Sequence, residues 1–318
     1  MTPSIGRVLV AGAGGIGSVI GGLLAAAGHP VTLLGRASHL NAVDRDGLTI
    51  TGIYGAHHVR AIACTTDVAT LANTLFETIL LTAKSWDTQA IATQVAPYLA
   101  RDGALVCLQN GLGNLEGATA VVGRERVLGG RVIFGAEIAA PGRVHVSVHA
   151  EPTLLGAPNP TDTRLATIAT TLAQCFERAG VPAAPTASII AELWGKVLYN
   201  AALNPLGALL GVPYGALPAN PHTKRLMDQV IAEAFAVATA TGVRLRWADT
   251  DAYAAAFYGR LVPSTAEHRS SMLQDLERGR PTEIDAINGW VAARATDLGL
   301  AAPVNATLTH LIHARTYR

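Results

Sequence analysis

Aromatic residues make up only 5% of this chain and charged residues only 15%, and the charges nearly cancel, leaving a formal net charge of +1. No Lys/Arg-rich run occurs, so the electrostatic footprint needed to hold nucleic acid or an anionic membrane is missing. Cysteine is scarce as well. Cys64, Cys107 and Cys175 lie far apart, with neither CxxC spacing nor a His-rich neighbourhood. That argues against a disulfide framework and a zinc site, leaves no metal expected, and predicts buried thiols in a reducing, cytoplasmic compartment. What is abundant is apolar: half of the 318 residues are hydrophobic, enough for two cores. A two-domain protein acting on a small molecule is the class that survives.

The opening "MTPSIGR" followed by "VLVAGAGGIGSVIGGLLAAAG" has the outline of a secretory leader. Seven glycines between Gly12 and Gly28 interrupt it, however, and a second strand-like run, "VTLLGR", follows at once. The segment reads as strand, loop and helix rather than as a leader or a membrane span. From Arg7 to about Thr186, short β-rich runs ("RVLVAG", "PVTLLGR", "TILLTAK", "ALVCLQN", "RVLGGRVIFGAEI", "RVHVSVHA" and "TLLGA") alternate with helical patterns. This alternation predicts a mostly parallel sheet covered by helices. Beyond "AGVPAAPTA" the periodicity is helical, with breaks expected at Pro205, Pro213, Pro218, Pro263, Pro281 and Pro303. The fold class expected is therefore α/β, a Rossmann-type doubly wound parallel sheet over residues 1–186, followed by an all-α C-terminal domain over residues 187–318.

Gly12, Gly14 and Gly17 stand in G-x-G-x-x-G spacing just after the first strand and at the opening of a helix. Glycine there permits a tight turn and lets main-chain N–H groups approach a pyrophosphate, whose charge the helix N-terminus stabilises. The end of the second strand, where NAD-binding sheets usually carry an acid for the ribose hydroxyl, reads "LLGR". Gly35 leaves room and Arg36 can fork onto a 2′-phosphate, which favours NADPH/NADP over NADH, although Arg36 could also be a solvated loop residue. Two more strand ends carry polar groups, Lys84 in "LLTAKSWD" and Asn110 in "LVCLQNGLGN". Each alone reads as a loop residue; together with the glycine loop they read as a ligand-facing edge.

In "LWGKVLYNAALNPL", Lys196, Asn200 and Asn204 recur at intervals of four. On a helix they form one slanting row roughly 12 Å long. The ordinary reading is a Glu192–Lys196 surface pair with the amides in water; the other is a polar wall facing a ligand. Asn is a poor helix-interior residue, and Pro205 follows the second one, so something must offset the cost. Downstream, Pro281 is placed in the first turn of a helix, with Glu283 and Asp285 near its positive end. Either they are simple helix-start chemistry or one is the carboxylate that a buried Lys196 requires.

Six segments in order, "AGAGGIGSVIGGLLAAAGHPVTLLGR", "LTAKSWDT", "LQNGLGN", "APGRVHV", "LWGKVLYNAALNPLGAL" and "SSMLQDLERGRPTEIDAING", resemble the ketopantoate reductase (2-dehydropantoate 2-reductase) family over nearly the whole chain. The resemblance implies reduction of a 2-keto acid to a 2-hydroxy acid by NADPH, in a cleft between a Rossmann domain and a helical domain. It implies Lys196 as the catalytic lysine and Glu283 as the essential glutamate. Asn200, Asn204 and Ser271 would contact substrate, and Asn110 would bridge substrate and cofactor. Lys84 and Arg36, with the glycines Gly12, Gly14 and Gly17, would lie on the cofactor side. Ketopantoate, in pantothenate biosynthesis, is the substrate expected. Two departures bear on this: Tyr214 stands where some members have a substrate-contacting asparagine, and Asp87 where some have glutamine. A sister reductase of another branched 2-keto acid stays open, as does a non-catalytic NADP(H) sensor, against which Lys196 and Glu283 argue. A small-molecule substrate is the only partner class expected, with no nucleic acid and no membrane, and a homodimer is held open.

Overall fold

The computed structural model describes residues 4–316. They form two compact units, one comprising residues up to Gln109 with Asn114–Ile189, the other Asn110–Gly113 with the residues from Ile190 onward. Among the described residues, no helix is long and apolar enough to cross a membrane.

The first unit is built from β1 (Val8–Ala11), α1 (Gly15–Ala26), β2 (Val31–Leu34), α2 (Ala37–Asp46), β3 (Leu48–Gly52), β4 (His57–Val59), β5 (Ala63–Thr65), β6 (Phe76–Leu81), α3 (Thr88–Val95), β7 (Leu99–Cys107), α4 (Asn114–Val122), β8 (Val127–Arg131), β9 (Phe134–Ala140), β10 (Arg143–His149), β11 (Thr153–Gly156), α5 (Thr163–Arg178) and β12 (Ala183–Pro185). Eight strands make one sheet in the order β12-β11-β8-β7-β6-β1-β2-β5. Every neighbouring pair is parallel except β11 with β8. The chain winds outward from β1 to β5 on one side, then returns to β6 and winds outward on the other. The order therefore reverses between β1 and β6, the place where such sheets bind ligands at their strand ends. All four residues of β1 are buried, as a strand covered on both faces requires.

One helix-covered sheet was expected, and a second sheet is present. β4, β3, β10 and β9 form it in that order, with β10 parallel to β3 and its other pairs antiparallel. The run "RVLGGRVIFGAEI", read as a single strand, breaks between Arg131 and Phe134 so that β8 joins the large sheet and β9 the small one. The glycines of α1 explain how one helix serves both. A Cβ on Gly17 or Gly21 would strike Thr82 or Leu33 on the large sheet, and one on Gly15 or Gly22 would strike Ala136, Leu48 or Ile50 on the small one. Small residues on opposite faces let both sheets close onto the helix, which is why Gly17 through Ala25 are all buried.

The second unit holds α6 (Ile189–Leu210), α7 (Ala216–Ala219), α8 (Pro221–Ala240), α9 (Thr250–Ala256), α10 (Ser271–Glu277), α11 (Asn288–Asp297) and α12 (Pro303–Thr316). Trp194, Leu198, Leu203, Ile231, Phe257 and Val291 belong to its apolar core. Pro205 does not break α6 as expected; it lies inside the helix. Its missing N–H would have served the carbonyl of Ala201, and Asn288 Nδ2 donates to that oxygen instead, at 3.1 Å. Pro281 likewise does not open a helix. A short 3-10 turn over Ile284–Ala286 follows it, and α11 begins only at Asn288.

Candidate active site

At the end of β1 the chain turns through Gly12 at φ +113°, where a Cβ would sit 2.3 Å from the backbone nitrogen of Ala83 at the end of β6. Thr82 Oγ1 donates to the Gly12 carbonyl at 2.8 Å and locks this junction. Gly14 caps α1 with no side-chain hydrogen bond, and the first turn carries no acid. A Cβ on Gly14 would meet only the Gly12 carbonyl oxygen, at 3.9 Å, so there is room above it. An uncapped, acid-free helix start with open space over its glycine fits a pyrophosphate. Gly17 is different: its Cβ would lie 2.4 Å from Thr82 Oγ1, so it serves helix-to-sheet packing.

Arg36 is exposed and caps α2. Gly35 beside it packs on Ala13 of the glycine loop, 2.9 Å from that residue's Cβ to the Cβ it lacks. Lys84 is half-buried at the start of the turn after β6, with its ammonium 5.8 Å from the centroid of Trp86. The sequence reading missed the network under that turn. Gln109 Nε2 donates to Thr88 Oγ1 and Thr88 Oγ1 to Asn114 Oδ1, both at 2.7 Å, and all three residues are buried.

The segment Asn110–Gly113 leaves the end of β7 and becomes part of the second unit. Gly111, at φ +82°, has no room for a Cβ against the Ala286 carbonyl, and Leu112 N–H donates to that same carbonyl at 2.8 Å. This clamp sets Asn110 between two groups the sequence singled out. Lys196 Nζ donates to Asn110 Oδ1 at 2.6 Å, and Asn110 Nδ2 donates to Glu283 Oε2 at 3.1 Å. An ammonium only donates and a carboxylate only accepts, so the two flanking charges determine which way the amide faces. Glu283, expected near a helix start, is instead a buried residue just before the 3-10 turn.

Asn200 and Asn204, paired in the sequence reading, differ in the structure. Asn204 Oδ1 accepts from the buried Tyr214 hydroxyl at 2.5 Å, and Ser270 Oγ reaches the Asn204 carbonyl at 3.4 Å. Burial raises the Tyr214 pKa well above its ordinary value, keeping it a neutral donor. Asn200 is 8% exposed, yet its amide makes no hydrogen bond to any described residue and neither polar atom is sealed off. An amide left that way can take a hydrogen bond from water or from a ligand. Ser271 is exposed at the first position of α10, and the buried serine is its neighbour Ser270, which caps that helix through Leu273 N–H. The S-S-M-L order carried that capping signal, since serine before an apolar helical run is a common N-cap.

A sheet that presents an open glycine loop at its switch point, and an ammonium held by a half-buried amide that is itself bonded to a buried carboxylate, are the equipment of a nicotinamide-dependent oxidoreductase. Comparison with known proteins makes the class specific. The profile described as "Ketopantoate reductase PanE/ApbA" matches residues 8–160, and that described as "Ketopantoate reductase PanE/ApbA C terminal" matches residues 188–316. The 2-dehydropantoate 2-reductase of Aquifex aeolicus is 34% identical over 97% of this chain and 96% of its own. That of Pyrococcus horikoshii is 34% identical over 97% of each. A crystal structure of a PanE/ApbA family ketopantoate reductase from Ralstonia eutropha superposes with a TM-score of 0.85, at 32% identity and 98% coverage of both chains. The chain belongs to the ketopantoate reductase family.

Proposed function

We propose that this chain reduces a 2-keto acid to the 2-hydroxy acid with NADPH, and that ketopantoate, the substrate named for its relatives, is the substrate, reduced to pantoate in the cytoplasm. The observation that carries this reading is the hydrogen-bonded chain from Lys196 through Asn110 to Glu283. Gly12, Gly14 and the start of α1 would hold the pyrophosphate, Arg36 the 2′-phosphate, and Lys84 would stand beside them. The bound coenzyme supplies a hydride to the keto carbon.

As the carbonyl oxygen gains charge, the Lys196 ammonium stabilises it and then gives it a proton. Asn110 Oδ1 holds that ammonium by accepting from it, and Glu283 keeps the amide facing the right way. Such preorganisation spares the site a rearrangement as charge develops. Asn200, with an amide unused by the protein, would bind the keto acid directly, and exposed Ser271 would add a hydroxyl.

The Tyr214–Asn204 bond favours a second reading, reduction of another branched 2-keto acid, because it removes one acceptor from the polar row. NADPH oxidation against a panel of ketopantoate, 2-oxoisovalerate and larger 2-keto acids tests both. Ketopantoate should give the highest kcat/KM. A different keto acid leading the panel supports the sister activity, and no turnover on any member would overturn the enzymatic reading and leave a coenzyme sensor.

A further inference from the structure

His39 lies two residues into α2, and its ring is buried. Gly142 N–H donates to its Nδ1 at 3.2 Å, and its Nε2 is 3.1 Å from Ser18 Oγ. A main-chain N–H can only donate, so Nδ1 carries the lone pair. The proton is then on Nε2, which donates to the serine. Burial, and after it the charge of Arg36, hold the imidazole pKa below its ordinary 6.5, so the ring stays neutral.

One ring therefore joins three parts of the first unit. Ser18 belongs to α1, whose first turn follows the glycine loop, and Gly142 is the turn between β9 and β10. Gly142 is further fixed by its carbonyl, which accepts from Thr49 N–H at 2.9 Å, and a Cβ there would lie 3.2 Å from Ala42 of α2. Three residues before His39, at the cap of the same helix, stands Arg36. The cap has no side-chain hydrogen bond and the first turn no acid, so a guanidinium stands at the positive end of a helix with no anion in that turn to offset it.

We propose that His39 is a positioning residue for coenzyme selection: it pins the first turn of α2 to α1 and to the β9–β10 turn, and so holds Arg36 where a 2′-phosphate would meet it. The inference rests on the reading of Arg36 as the phosphate ligand. An exposed arginine is a long, flexible lever, and the direction of its backbone is the part the fold can control. Neither bond of His39 involves the glycine loop itself, so the binding shared by NADP+ and NAD+ should not depend on it.

The test is calorimetric titration of NADP+ and NAD+ into the full chain and its variants, with melting temperatures alongside. Arg36→Ala should lower the NADP+/NAD+ affinity ratio about tenfold or more. His39→Leu, which keeps bulk but removes both bonds, should lower the ratio about threefold to tenfold while NAD+ affinity stays within about twofold. His39→Asn, whose Oδ1 can stand in for Nδ1 toward Gly142, should recover most of the ratio. If His39→Leu does not fold, Ser18→Ala carries the test and should lower the ratio by a smaller factor. An equal loss of both affinities in the histidine variants would make His39 merely structural. A ratio unchanged by them while Arg36→Ala collapses it would overturn the inference alone. A ratio unchanged by Arg36→Ala would overturn the phosphate reading and this inference with it.

Discussion

In the sheet-built unit, the groups that would meet a ligand are mainly main-chain N–H groups, exposed because glycine gives them room. In the helical unit they are side chains, an ammonium and amides, and Lys196 and Asn110 find their partners far away in sequence. The first kind of site depends on how closely backbones approach, and the second on which polar atoms are already spoken for. Asn110 belongs by connection to the end of β7 but by contact to the helical unit, where it lies between Lys196 and Glu283. The two units should therefore fail in different ways when altered.

The largest effect is expected in the helical unit. Lys196→Ala should lower turnover about 10² to 10⁴-fold while coenzyme binding stays close to normal, because the lost interaction forms with charge that exists only in the transition state. Steady-state rates beside a coenzyme titration would check this, and near-normal turnover would exclude the mechanism.

Next come two glycines of one motif that should behave oppositely. Gly12→Ala adds a methyl 2.3 Å from a backbone nitrogen at a positive φ, and should cost about 2–5 kcal/mol of stability in urea unfolding. Gly14→Ala meets nothing nearer than 3.9 Å. It should leave stability within about 0.5 kcal/mol but weaken coenzyme binding about tenfold or more. Equal destabilisation by both would erase the distinction between room kept for packing and room kept for a ligand.

The two amides of α6 sharpen the comparison from the other side. Asn204→Ala strands the buried Tyr214 hydroxyl and should cost about 1–3 kcal/mol, whereas Asn200→Ala should raise KM with little change in melting temperature. A stability loss from Asn200→Ala with an unchanged KM would show that its amide serves the fold.

The smallest effect is one in which the units are alike. Burial lowers the pKa of His39 in the first and of His268 in the second from the ordinary 6.5. Below pH 6.5 the unfolded chain takes up protons that the folded chain refuses. The stability these two rings contribute is thus fully present above that value and is lost as pH falls toward their folded pKa values. Urea midpoints measured from about pH 7.5 to 5.5 should decline, and His39→Leu should flatten part of the slope.

The glycine loop, the alternation of strands and helices and the row on α6 were legible because each is written in neighbouring residues. The small sheet was not, because β10 pairs with β3 across nearly a hundred positions and its strands look like any others. Pro205 misled for a related reason: its effect depends on Asn288, which supplies the donor that proline lacks. The spacing of Asn200 and Asn204 showed a shared face. It held no trace of Tyr214 taking one carbonyl and leaving the other amide open, since partners are a property of the folded neighbourhood. Ser270 and Ser271 are adjacent, and only burial tells which one caps the helix.

The double-faced packing of α1 also has a consequence in time. A ribosome makes this apolar helix between β1 and β2, which can cover one side of it early. The other side is met first by β3 and is completed only by β9 and β10, which end at His149. Through the synthesis of roughly a hundred residues after α1, the part of its glycine-rich face that β9 covers is therefore exposed, and contacts of such long range form slowly. The nascent chain should bind holdase chaperones until the β9–β10 hairpin emerges and release them after it.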